Sequence, residues 1–503
     1  MGALSTIRNI YYRGSLEYCN YTCSYCPFGR KSASADTDGD REALHRFISR
    51  IGQWKHGALR ILIIPYGEAM IHRYYREGII RLAAMPHVAG VSCQTNLSFS
   101  VSRFLDEVEE ARADVTKIKF WGSYHPEMAD VTDFASKIEK LHAAGIEVCA
   151  GVVGDPSAKE QIRRLRLLLD PSVYLFVNAM QGLRKPLSEE DVRFFNEMDN
   201  LFDYDRWNAK ACLNNCSGGR ESLFVDREGG MYACPRSGVR TGNFYDDSAS
   251  LLQPSCLRKV CDCYIAFSNL RDTPLRRMMG EGALWRIPER KKVRAVFFDI
   301  DGTLTDVQGR IPGRTVSALK YMSGRLPLYL STALPMAHAK KRLGDVFDLF
   351  SGGVFADGGF LCYEDTVECV PVEHPVALDF PGCRITRYTW KGEIFKYAVL
   401  APTVREATRL SAGLEGEAYQ LYQEGRLLTV VDSRAGKKNG LMTLCSRLGI
   451  SLREILVVGN TMHDWPMMSV AGYSCAVMDA EEELKKLSGY ILNPDSIPVF
   501  FDI

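Results

Sequence analysis

The sequence predicts an α/β protein that contains two α/β domains with a small cysteine-rich region between them. Its 503 residues exceed what one hydrophobic core usually supports, so two or three domains are expected. Residues 1–205 and 293–503 alternate short apolar runs with helix-length segments, which is typical of parallel strands joined by helices. Residues 206–270 interrupt that rhythm and are rich in Cys, Gly, Asn and Asp. Residues 271–292 form a basic stretch, which we interpret as a helical linker.

The composition excludes several classes of protein. Apolar residues make up 46% of the chain and charged residues 24%, which argues against a disordered protein. The formal net charge of +1 gives no electrostatic case for binding nucleic acid or a membrane. The chain shows neither a membrane-spanning apolar run nor a signal peptide, so we expect a cytoplasmic protein. Eleven of its sixteen cysteines lie before residue 264, and clustered cysteines in a reducing compartment more often bind metal than form disulfides.

The first domain contains a regular series of strand-like runs. Residues 60–65 have the apolar character of a buried strand, and a helical pattern follows from about residue 73 to residue 84. The later apolar runs are residues 88–95, 115–120, 146–152 and 173–178. Because helix-length segments separate these runs, the pattern favours parallel pairing in an α/β sheet or barrel.

Cys19, Cys23 and Cys26 form a tight cluster after the strand-like residues 10–12. Three thiolates in one loop can hold three irons of a 4Fe–4S cluster and leave the fourth iron open to an exchangeable ligand. One alternative is a zinc site, but no Cys or His lies between Cys26 and His45 to complete a tetrahedron. The other alternative is that the three side chains simply pack as small apolar groups.

This pattern resembles the radical S-adenosylmethionine (SAM) enzymes, and the resemblance covers about residues 8–200. It implies a partial (β/α)6 barrel in which the open iron binds the amino and carboxylate groups of SAM. The implied chemistry is reductive cleavage of SAM to a radical that abstracts hydrogen, with electrons from an external donor such as flavodoxin or ferredoxin. The residues at positions that this family uses for SAM are Tyr25, Gly67, Glu68, Asn96, Ser123, Gly151 and Gly154.

His125 follows the fourth strand-like run, on the side of the sheet where the implied active site would lie. One hypothesis gives it contact with a substrate phosphate or a part in proton transfer. The alternative hypothesis is a loop histidine that makes one backbone hydrogen bond.

A second cysteine cluster occupies the middle of the chain, and two short strand-like runs, residues 223–226 and 231–233, predict a β-hairpin within it. A hairpin flanked by cysteines resembles the start of the twitch or SPASM extensions of radical SAM enzymes, which bind auxiliary iron–sulfur clusters. The resemblance implies one auxiliary 4Fe–4S cluster, and the alternative is a structural zinc knuckle. The implied ligands are Cys216, Cys234, Cys261 and Cys263, with Cys212 and Cys256 as possible substitutes.

Asp299 and Asp301 directly follow the apolar run at residues 293–298. Two carboxylates at the end of one strand can share a reacting centre. One can attack phosphorus, the other can move the proton of the leaving group, and backbone oxygens can bind Mg²⁺. Further along the chain come Thr332 after the next apolar run, a basic pair at Lys437 and Lys438, and an apolar run that leads to Asn460 and Asp464.

These four motifs resemble the haloacid dehalogenase (HAD) superfamily, specifically its sugar-phosphatase branch, through residues 293–503. The resemblance implies a Rossmann-like phosphatase domain with an inserted α/β cap at about residues 357–432, which selects small phosphorylated metabolites. The spacing onward to Gly449 favours Lys437 over Lys438 as the basic residue. The implied catalytic residues are Asp299, Asp301, Thr332 and Lys437, and the implied magnesium site is Asp299, Asp301, Asn460 and Asp464.

Three positions depart from that branch. Ala333 and Leu334 follow Thr332 where Gly and Arg are common, and Asn460 stands where an Asp is usual. The missing charge at residue 460 leaves Asp464 as the expected side-chain carboxylate on Mg²⁺ and would weaken metal binding without abolishing it.

Three functional hypotheses follow from these motifs. The first is a bifunctional enzyme whose radical SAM half transforms a phosphorylated small molecule, a nucleotide or a sugar phosphate, while the HAD half removes phosphate. The second is a radical SAM peptide maturase, although only 18 residues precede Cys19, too few for a peptide-binding domain. The third is a radical SAM enzyme that a non-catalytic HAD domain regulates by sensing a ligand.

Overall fold

The computed structural model describes residues 4–26, 28, 37–180, 186–206, 210–211, 215–246, 260–261, 263–374, 381–414, 416 and 418–503. These residues form two compact units, Met1–Glu289 and Arg290–Ile503, which are described separately. None of the helices in the described ranges is long and apolar enough to cross a membrane.

The first unit is an α/β unit. Its strands are β1 (Asn9–Arg13), β2 (Leu59–Ile63), β3 (Val88–Thr95), β4 (Ile118–Tyr124), β5 (Glu147–Gly154), β6 (Leu175–Ala179), β7 (Lys210–Ala211), β8 (Ser222–Asp226), β9 (Gly230–Tyr232), β10 (Arg240–Asn243) and β11 (Val260–Cys261). Its helices are α1 (Thr37–Gly52), α2 (Arg73–Ala83), α3 (Val101–Glu110), α4 (Val131–Ala143), α5 (Lys159–Leu168), α6 (Glu189–Met198), α7 (Phe202–Arg206), α8 (Tyr264–Phe267) and α9 (Pro274–Met279). Short 3₁₀ helices cover Val115–Lys117, Pro156–Ala158 and Gly280–Leu284.

Strands β1 to β6 pair in parallel and in chain order, as the alternating pattern predicted. The full sheet has the order β10-β9-β8-β1-β2-β3-β4-β5-β6. Strand β3 has the predicted bounds, but β4 begins at Ile118 and not at Val115. Asp114 explains the difference, because its side chain accepts a hydrogen bond from Thr116 N and starts a 3₁₀ turn at Val115–Lys117.

The predicted hairpin at residues 223–233 is confirmed as the antiparallel pair β8–β9. Strand β8 also pairs in parallel with β1, so the hairpin extends the large sheet at that side. Strands β7 and β11 form a separate two-stranded antiparallel ladder.

The segment that we predicted as a linker, residues 271–292, lies within the first unit as far as Glu289. It contains α9 and a 3₁₀ turn, and its apolar residues Leu275 and Trp285 are buried. Arg286 is only 2% exposed, because it pairs with Asp205 and lies 3.6 Å from the centre of the Tyr264 ring. The basic stretch that we interpreted as a helical linker therefore includes a buried, paired arginine.

The second unit combines a mainly parallel sheet with a separate antiparallel cap sheet. Its strands are β12 (Lys291–Lys292), β13 (Ala295–Phe298), β14 (Leu328–Ser331), β15 (Gly352–Phe355), β16 (Phe360–Tyr363), β17 (Thr366–Cys369), β18 (Arg384–Trp390), β19 (Glu393–Leu400), β20 (Tyr419–Glu424), β21 (Leu427–Asp432), β22 (Ile455–Gly459), β23 (Tyr473–Ala476), β24 (Tyr490–Ile491) and β25 (Phe501–Asp502). Its helices are α10 (Gly313–Ser323), α11 (Met336–Leu343), α12 (Val404–Leu414), α13 (Lys437–Leu448), α14 (Trp465–Met468), α15 (Glu482–Leu487) and α16 (Ile497–Phe500). Its 3₁₀ helices are Gly344–Leu349, Ala356–Gly358, Leu452–Glu454 and Pro494–Ser496.

The main sheet of the second unit has the order β17-β16-β15-β14-β13-β22-β23-β24. Strand β13 is central and pairs in parallel with β14 and β22, so the carboxyl ends of these three strands lie together at one edge. Strands β12 and β25 pair in parallel apart from this sheet.

The cap sheet has the order β18-β19-β21-β20 and runs from Arg384 to Asp432. We expected the cap to begin at about residue 357, but β16 and β17 pair with the main sheet through β15. The hairpin at residues 360–369 therefore extends the core sheet, and the independent cap sheet begins later in the chain. Its own apolar cluster is built on Tyr397, Val399, Leu428 and Val430.

Candidate active sites

The carboxyl ends of β13, β14 and β22 position the candidate site of the second unit. Asp299 follows β13 directly, and its backbone N–H donates to the carbonyl of Val458 on β22 at 3.0 Å. Thr332 follows β14, and its N–H donates to the carbonyl of Val354 on β15 at 2.9 Å. Polar side chains at the carboxyl edge of a parallel sheet are in the usual place for a ligand site in an α/β fold.

An ionic cluster joins three of the predicted residues. Lys437, the first residue of α13, donates from Nζ to Oδ1 of Asp299 at 2.8 Å and to Oδ1 of Asp464 at 2.7 Å. All three side chains are buried. Burial raises the pKa of Asp299 to about 7, although the ion pair with Lys437 opposes that rise. Burial alone would lower the pKa of Lys437, but the two carboxylates outweigh it and the pKa is raised, so the lysine stays charged.

Asp464 is fixed by backbone hydrogen bonds. Its Oδ2 accepts from the N–H groups of Asn460 and Thr461 at 2.9 and 3.2 Å. The side chain of Asn460 points elsewhere, since its Oδ1 accepts from the Thr303 hydroxyl at 3.3 Å. The structure therefore places Asp464 in the ionic cluster, while the Asn460 side chain braces the turn after β13.

Asp301 lies apart from that cluster, because its carboxylate pairs with Arg342 of α11 at 2.6 Å. Within the described part of the chain, no group of three or more His, Cys, Asp or Glu side chains is gathered closely enough to hold a metal ion. The donor chemistry of Asp299 and Asp464 nevertheless fits Mg²⁺, since two buried carboxylates share a single lysine and carboxylate oxygens are the ligands that Mg²⁺ prefers.

Thr332 is 1% exposed, and its hydroxyl oxygen accepts from the N–H of Leu334 at 3.2 Å. Its carbonyl accepts from the N–H of Asp357 at 3.2 Å. The loop after β14 is thus tied to the segment that leads towards the cap.

Three residues near this site were not among the predicted site residues. Lys396 of the cap strand β19 is buried and donates to Asp357, and His463 directly precedes Asp464. Lys396 carried a recognisable signal, because it is a single charge inside the otherwise apolar run at residues 394–400. Asp357 and His463 stood inside recognised motifs but without an assigned role.

In the first unit, the loop that carries Cys19, Cys23 and Cys26 is held against the end of β4. Glu127 accepts hydrogen bonds from Ser24 N at 2.7 Å and from Ser24 Oγ at 2.5 Å. The hydroxyl of Tyr25 lies 3.0 Å from Nδ1 of His125. The Tyr25 contact therefore holds the His125 ring against the cysteine loop. Burial lowers the pKa of the His125 ring to about 4.

The thiols of this loop influence one another's ionisation, although the described side chains are not gathered closely enough to form a metal site as they stand. Burial, and then the neighbouring sulfur of Cys26, raises the pKa of Cys23 to about 11. Burial raises the pKa of Cys19 as well, and Cys26 contributes to that rise. Thiols that resist ionisation on their own are stabilised as thiolates by a bound metal, so the donor chemistry of the loop fits an iron–sulfur cluster.

Gly67 and Glu68 pack directly on the segment before the cysteine loop. The N–H of Gly67 donates to the Leu16 carbonyl at 3.0 Å, and the N–H of Glu68 donates to the Tyr18 carbonyl at 2.8 Å. A Cβ atom at Gly67 would lie 2.0 Å from the Tyr18 carbonyl oxygen, so only glycine fits there.

Glu68 is a buried carboxylate at the carboxyl ends of β2 and β3. It accepts hydrogen bonds from Met70 N at 2.9 Å, the Thr95 hydroxyl at 2.6 Å and Asn96 N at 2.6 Å. Burial raises its pKa to about 7 against the effect of these donors. The side chain of Asn96 donates to Asn20 Oδ1 at 3.1 Å, which places it beside the cysteine loop.

Ser123, Gly151 and Gly154 lie within the carboxyl halves of β4 and β5. A Cβ at Gly151 would lie 2.0 Å from the Phe176 ring, so this glycine makes room for an aromatic side chain. The fold thus brings three of the residues predicted to bind SAM next to the loop that carries the cysteines and Tyr25, namely Gly67, Glu68 and Asn96. Packing against Phe176 is enough to explain why residue 151 is a glycine.

The second cysteine cluster is less completely described. Cys216 lies beside the hairpin, because a Cβ at Gly218 would be 3.3 Å from its Sγ and 2.8 Å from the Ala233 carbonyl oxygen. Cys234 and Cys261 are buried, and Cys263 directly precedes α8. Cys212 and Cys256 lie outside the described residues.

Comparisons with known proteins address the second unit. Residues 405–496 match the family described as haloacid dehalogenase-like hydrolase. A protein of Archaeoglobus fulgidus named phosphoglycolate phosphatase is 30% identical over 213 residues, which cover 41% of this chain and 92% of that relative. A protein of the same name from Methanobrevibacter smithii is 26% identical over 217 residues, with 40% and 92% covered. A solved haloacid dehalogenase-like hydrolase from Bacteroides thetaiotaomicron is 19% identical with a TM-score of 0.36, covering 41% of this chain and 97% of that one.

The parallel sheet, its cap and the carboxylates at its carboxyl edge define the second unit as a Rossmann-like α/β unit with a candidate site at the edge of the sheet. Through this unit, the chain belongs to the haloacid dehalogenase-like hydrolase family.

Proposed function

We propose that the second unit hydrolyses phosphate monoesters of small molecules with the help of Mg²⁺. The observation that carries the proposal is the buried cluster of Asp299, Lys437 and Asp464 beside Thr332, at the carboxyl ends of β13, β14 and β22. The relatives named phosphoglycolate phosphatase support it, since this unit matches 92% of the length of the first two.

Each residue has a chemical role in this proposal. Asp299 is the nucleophile that attacks phosphorus, and Lys437 holds its Oδ1 so that the carboxylate keeps one orientation. Thr332 offers a hydroxyl to the phosphoryl oxygens, and Asp301 moves the proton of the leaving group. Asp299 and Asp464 would hold Mg²⁺, which when bound neutralises charge that develops on the phosphoryl group.

We propose in addition that the first unit is a radical SAM enzyme with a partial (β/α)6 barrel. The parallel order of β1–β6 supports this assignment. So does the position of Glu68 and Asn96 beside the loop of Cys19, Cys23 and Cys26. These cysteines would hold a 4Fe–4S cluster, which together with SAM supplies radical chemistry when bound.

In this unit, the residues of the chain position the cofactors. Glu68 offers its carboxylate to the SAM amino group, with Gly67 keeping the surrounding backbone close to the cysteine loop. The segment of Cys216, Cys234, Cys261 and Cys263 would hold an auxiliary cluster, and electrons would come from an external flavodoxin or ferredoxin.

The two activities together form the proposed bifunctional enzyme. A phosphorylated small molecule, a nucleotide or a sugar phosphate, would be transformed by the first unit and dephosphorylated by the second. When two enzymes that catalyse sequential steps are joined in one chain, the product of the first is released close to the second enzyme, which raises its effective concentration there.

Phosphate release by Asp299→Asn tests the phosphatase. We expect the full chain with Mg²⁺ to release phosphate from one class in a panel of phosphorylated metabolites, and the variant to lose at least about a thousandfold in kcat. Asp345→Asn is the control, because Asp345 is exposed and lies in the 3₁₀ turn after α11. Full activity of the Asp299 variant would refute the assignment of the nucleophile.

Anaerobic reconstitution with iron and sulfide tests the radical SAM unit. With dithionite and SAM, the wild-type chain should form 5′-deoxyadenosine, and a chain in which Cys19, Cys23 and Cys26 are all replaced by alanine should not. Cys383→Ser serves as the control, since Cys383 directly precedes β18 of the second unit and packs on the apolar cluster of the cap sheet. Equal product from the triple variant would exclude this cluster as the site of cleavage.

A further inference from the structure

Strand β1 of the first unit ends in an arginine at the carboxyl edge of the sheet. Arg13 is the last residue of β1, and Glu68 follows β2, its parallel neighbour. On one face of β1, the Tyr12 ring stacks on Phe47 of α1 with 4.1 Å between centroids. Because successive side chains of a strand alternate between faces, Arg13 lies on the face opposite to α1. It is therefore placed at the edge where the ligands of α/β sheets usually bind.

The guanidinium group of Arg13 is held in one orientation. Its Nε donates to the Ile64 carbonyl at 3.0 Å, and its Nη1 donates to the Tyr66 hydroxyl at 3.1 Å. The guanidinium carbon lies 4.4 Å from the centre of the Tyr66 ring and 5.5 Å from the centre of the Phe224 ring of β8. These contacts fix the plane of the group before a ligand arrives, which reduces the entropy that binding would cost.

The charge of Arg13 is not paired with a carboxylate of any residue that the structure describes. Asp226 lies opposite Arg13 in the β1–β8 register, but its carboxylate accepts from Gly230 N at 2.7 Å and from the Tyr232 hydroxyl at 3.1 Å. An arginine has five N–H donors, and one at Nη1 and both at Nη2 of Arg13 remain free for a ligand. A fixed guanidinium edge of this kind matches the paired oxygens of a phosphate or a carboxylate.

Two exposed aromatic rings connect Arg13 to the cysteine loop. Tyr66 is 39% exposed and Phe28 is 44% exposed, and the centroids of their rings are 4.8 Å apart. Phe28 lies two residues after Cys26, and Tyr66 directly precedes Gly67. A group bound at Arg13 would therefore lie close to the segments that we assign to the iron–sulfur cluster and to SAM.

We infer that Arg13 binds the phosphate group of the substrate of the first unit. A phosphate monoester is a dianion with three terminal oxygens, so it accepts from two N–H groups of one guanidinium and neutralises its charge. A neutral sugar or nucleoside would leave that charge without a partner. The inference rests on the proposed radical SAM function and names the residue that holds its phosphorylated substrate. The SAM carboxylate is the other source of a matching anion, and the test separates the two.

Chemical modification of Arg13 tests this site directly. Phenylglyoxal reacts with accessible arginines, and peptide mass spectrometry assigns the modified positions. The full chain is reconstituted anaerobically and studied without reductant and without Mg²⁺, so that neither proposed reaction consumes the probes. The probes are AMP, ribose 5-phosphate and inorganic phosphate, with adenosine and ribose as phosphate-free counterparts and SAM as a separate probe. Arg112 is the control, because it is exposed and lies between α3 and β4, at the amino end of that strand.

We expect at least one of the phosphate compounds to slow the modification of Arg13. At a concentration of about ten times its Kd the rate should fall about tenfold, because the bound phosphate covers the guanidinium edge. Adenosine, ribose and SAM should leave the rate at Arg13 unchanged. Arg112 should react at the same rate with every probe.

Variants measure the same site by a second route. In isothermal titration calorimetry, Arg13→Gln should bind one equivalent less of the protecting compound than the wild type, since an amide supplies neither the charge nor the paired N–H groups. Arg13→Lys should restore this binding only in part, because it supplies the charge without the planar fork. Arg112→Gln is the matched control and should bind as many equivalents as the wild type.

The outcomes separate the two proposals. If Arg13 does not react in the free chain, or if no phosphate compound protects it, the phosphate site is overturned, while formation of 5′-deoxyadenosine would leave the radical SAM proposal intact. Protection by SAM alone would assign Arg13 to the SAM carboxylate and would also overturn the inference. Protection by a phosphate compound in a chain that forms no 5′-deoxyadenosine under reducing conditions would keep the phosphate site and refute the radical SAM proposal. If Arg13→Gln fails to fold, protection of the wild-type chain still decides.

Discussion

Replacing Lys437 with methionine tests the ionic cluster of the second unit. The change leaves the buried carboxylates of Asp299 and Asp464 without the cation that both of them bind. Removing one partner of a buried ion pair typically costs about 3–5 kcal/mol of unfolding free energy. For a unit of this size the loss corresponds to a fall in Tm on the order of 10 °C.

The pH dependence of that loss follows from the carboxylates. The pKa of Asp299 is already raised to about 7, so the folded state binds its proton more tightly than the unfolded state, where the value is about 3.8. As pH rises through that window the folded state therefore loses stability, and removal of Lys437 strengthens the effect. We expect Lys437→Met to be mildly destabilising at pH 5 and strongly destabilising at pH 8.

Urea unfolding of residues 290–503 in EDTA, followed through the fluorescence of Trp390 and Trp465, measures both effects. Adding Asp464→Asn to Lys437→Met should recover part of the lost free energy at pH 8, because one of the two facing charges is gone. Mg²⁺ should also recover part of it. An equal loss at pH 5 and pH 8, or a double variant less stable than the single one, would refute the electrostatic account.

Two further predictions concern the first unit. Gly67→Ala should lower Tm and reduce iron uptake on reconstitution, because its Cβ would lie 2.0 Å from the Tyr18 carbonyl oxygen, whereas Gly52→Ala, with its nearest neighbour atom at 3.7 Å, should change neither measurement. His125→Gln should reduce the loss of unfolding free energy that accompanies a fall in pH, because burial lowers the pKa of His125 to about 4. The wild type therefore loses stability as pH falls from 6.5 towards 4, by about 2 kcal/mol after allowing for partial exposure. Denaturant curves for both chains at pH 4.5 and 7.5 would show this difference, and parallel shifts would contradict it.

Much of the fold was accessible from hydrophobic pattern alone. Strand β3 has the predicted bounds, because a strand-length run of mostly small and apolar residues, largely buried, has few alternatives in a buried parallel sheet. The start of β4 was missed because one hydrogen bond from Thr116 N to the side chain of Asp114 redirects the backbone, and such a local contact leaves no periodic signal. The segment interpreted as a linker belongs to the first unit as far as Glu289, and the sequence did not reveal this because Asp205, which pairs with the buried Arg286, is 81 residues away in the chain.

The candidate sites also combine residues that the sequence predicted with contacts that only the structure shows. Motifs at strand ends predicted Asp299, Thr332 and Asp464, because parallel strands bring their carboxyl ends to one edge. Lys437 was predicted from a basic pair, and it is the first residue of helix α13. The pairing of Asp301 with Arg342 and the approach of Lys396 to Asp357 depend on how α11 and the cap pack on the core. Contacts of that kind are set by tertiary structure, so no spacing in the sequence encodes them.

The pairing of β12 with β25 joins the two ends of the second unit. Lys291 lies opposite Phe501, and the buried Phe501 ring packs on Tyr490 with 5.0 Å between centroids. The first and last strands of the unit therefore lie side by side. This arrangement suits the unit to expression on its own, insertion into another protein, or circular permutation through a short linker. The same geometry means that a pulling force applied across residues 291 and 501 would load this small parallel ladder first, before it reached the main sheet of the unit.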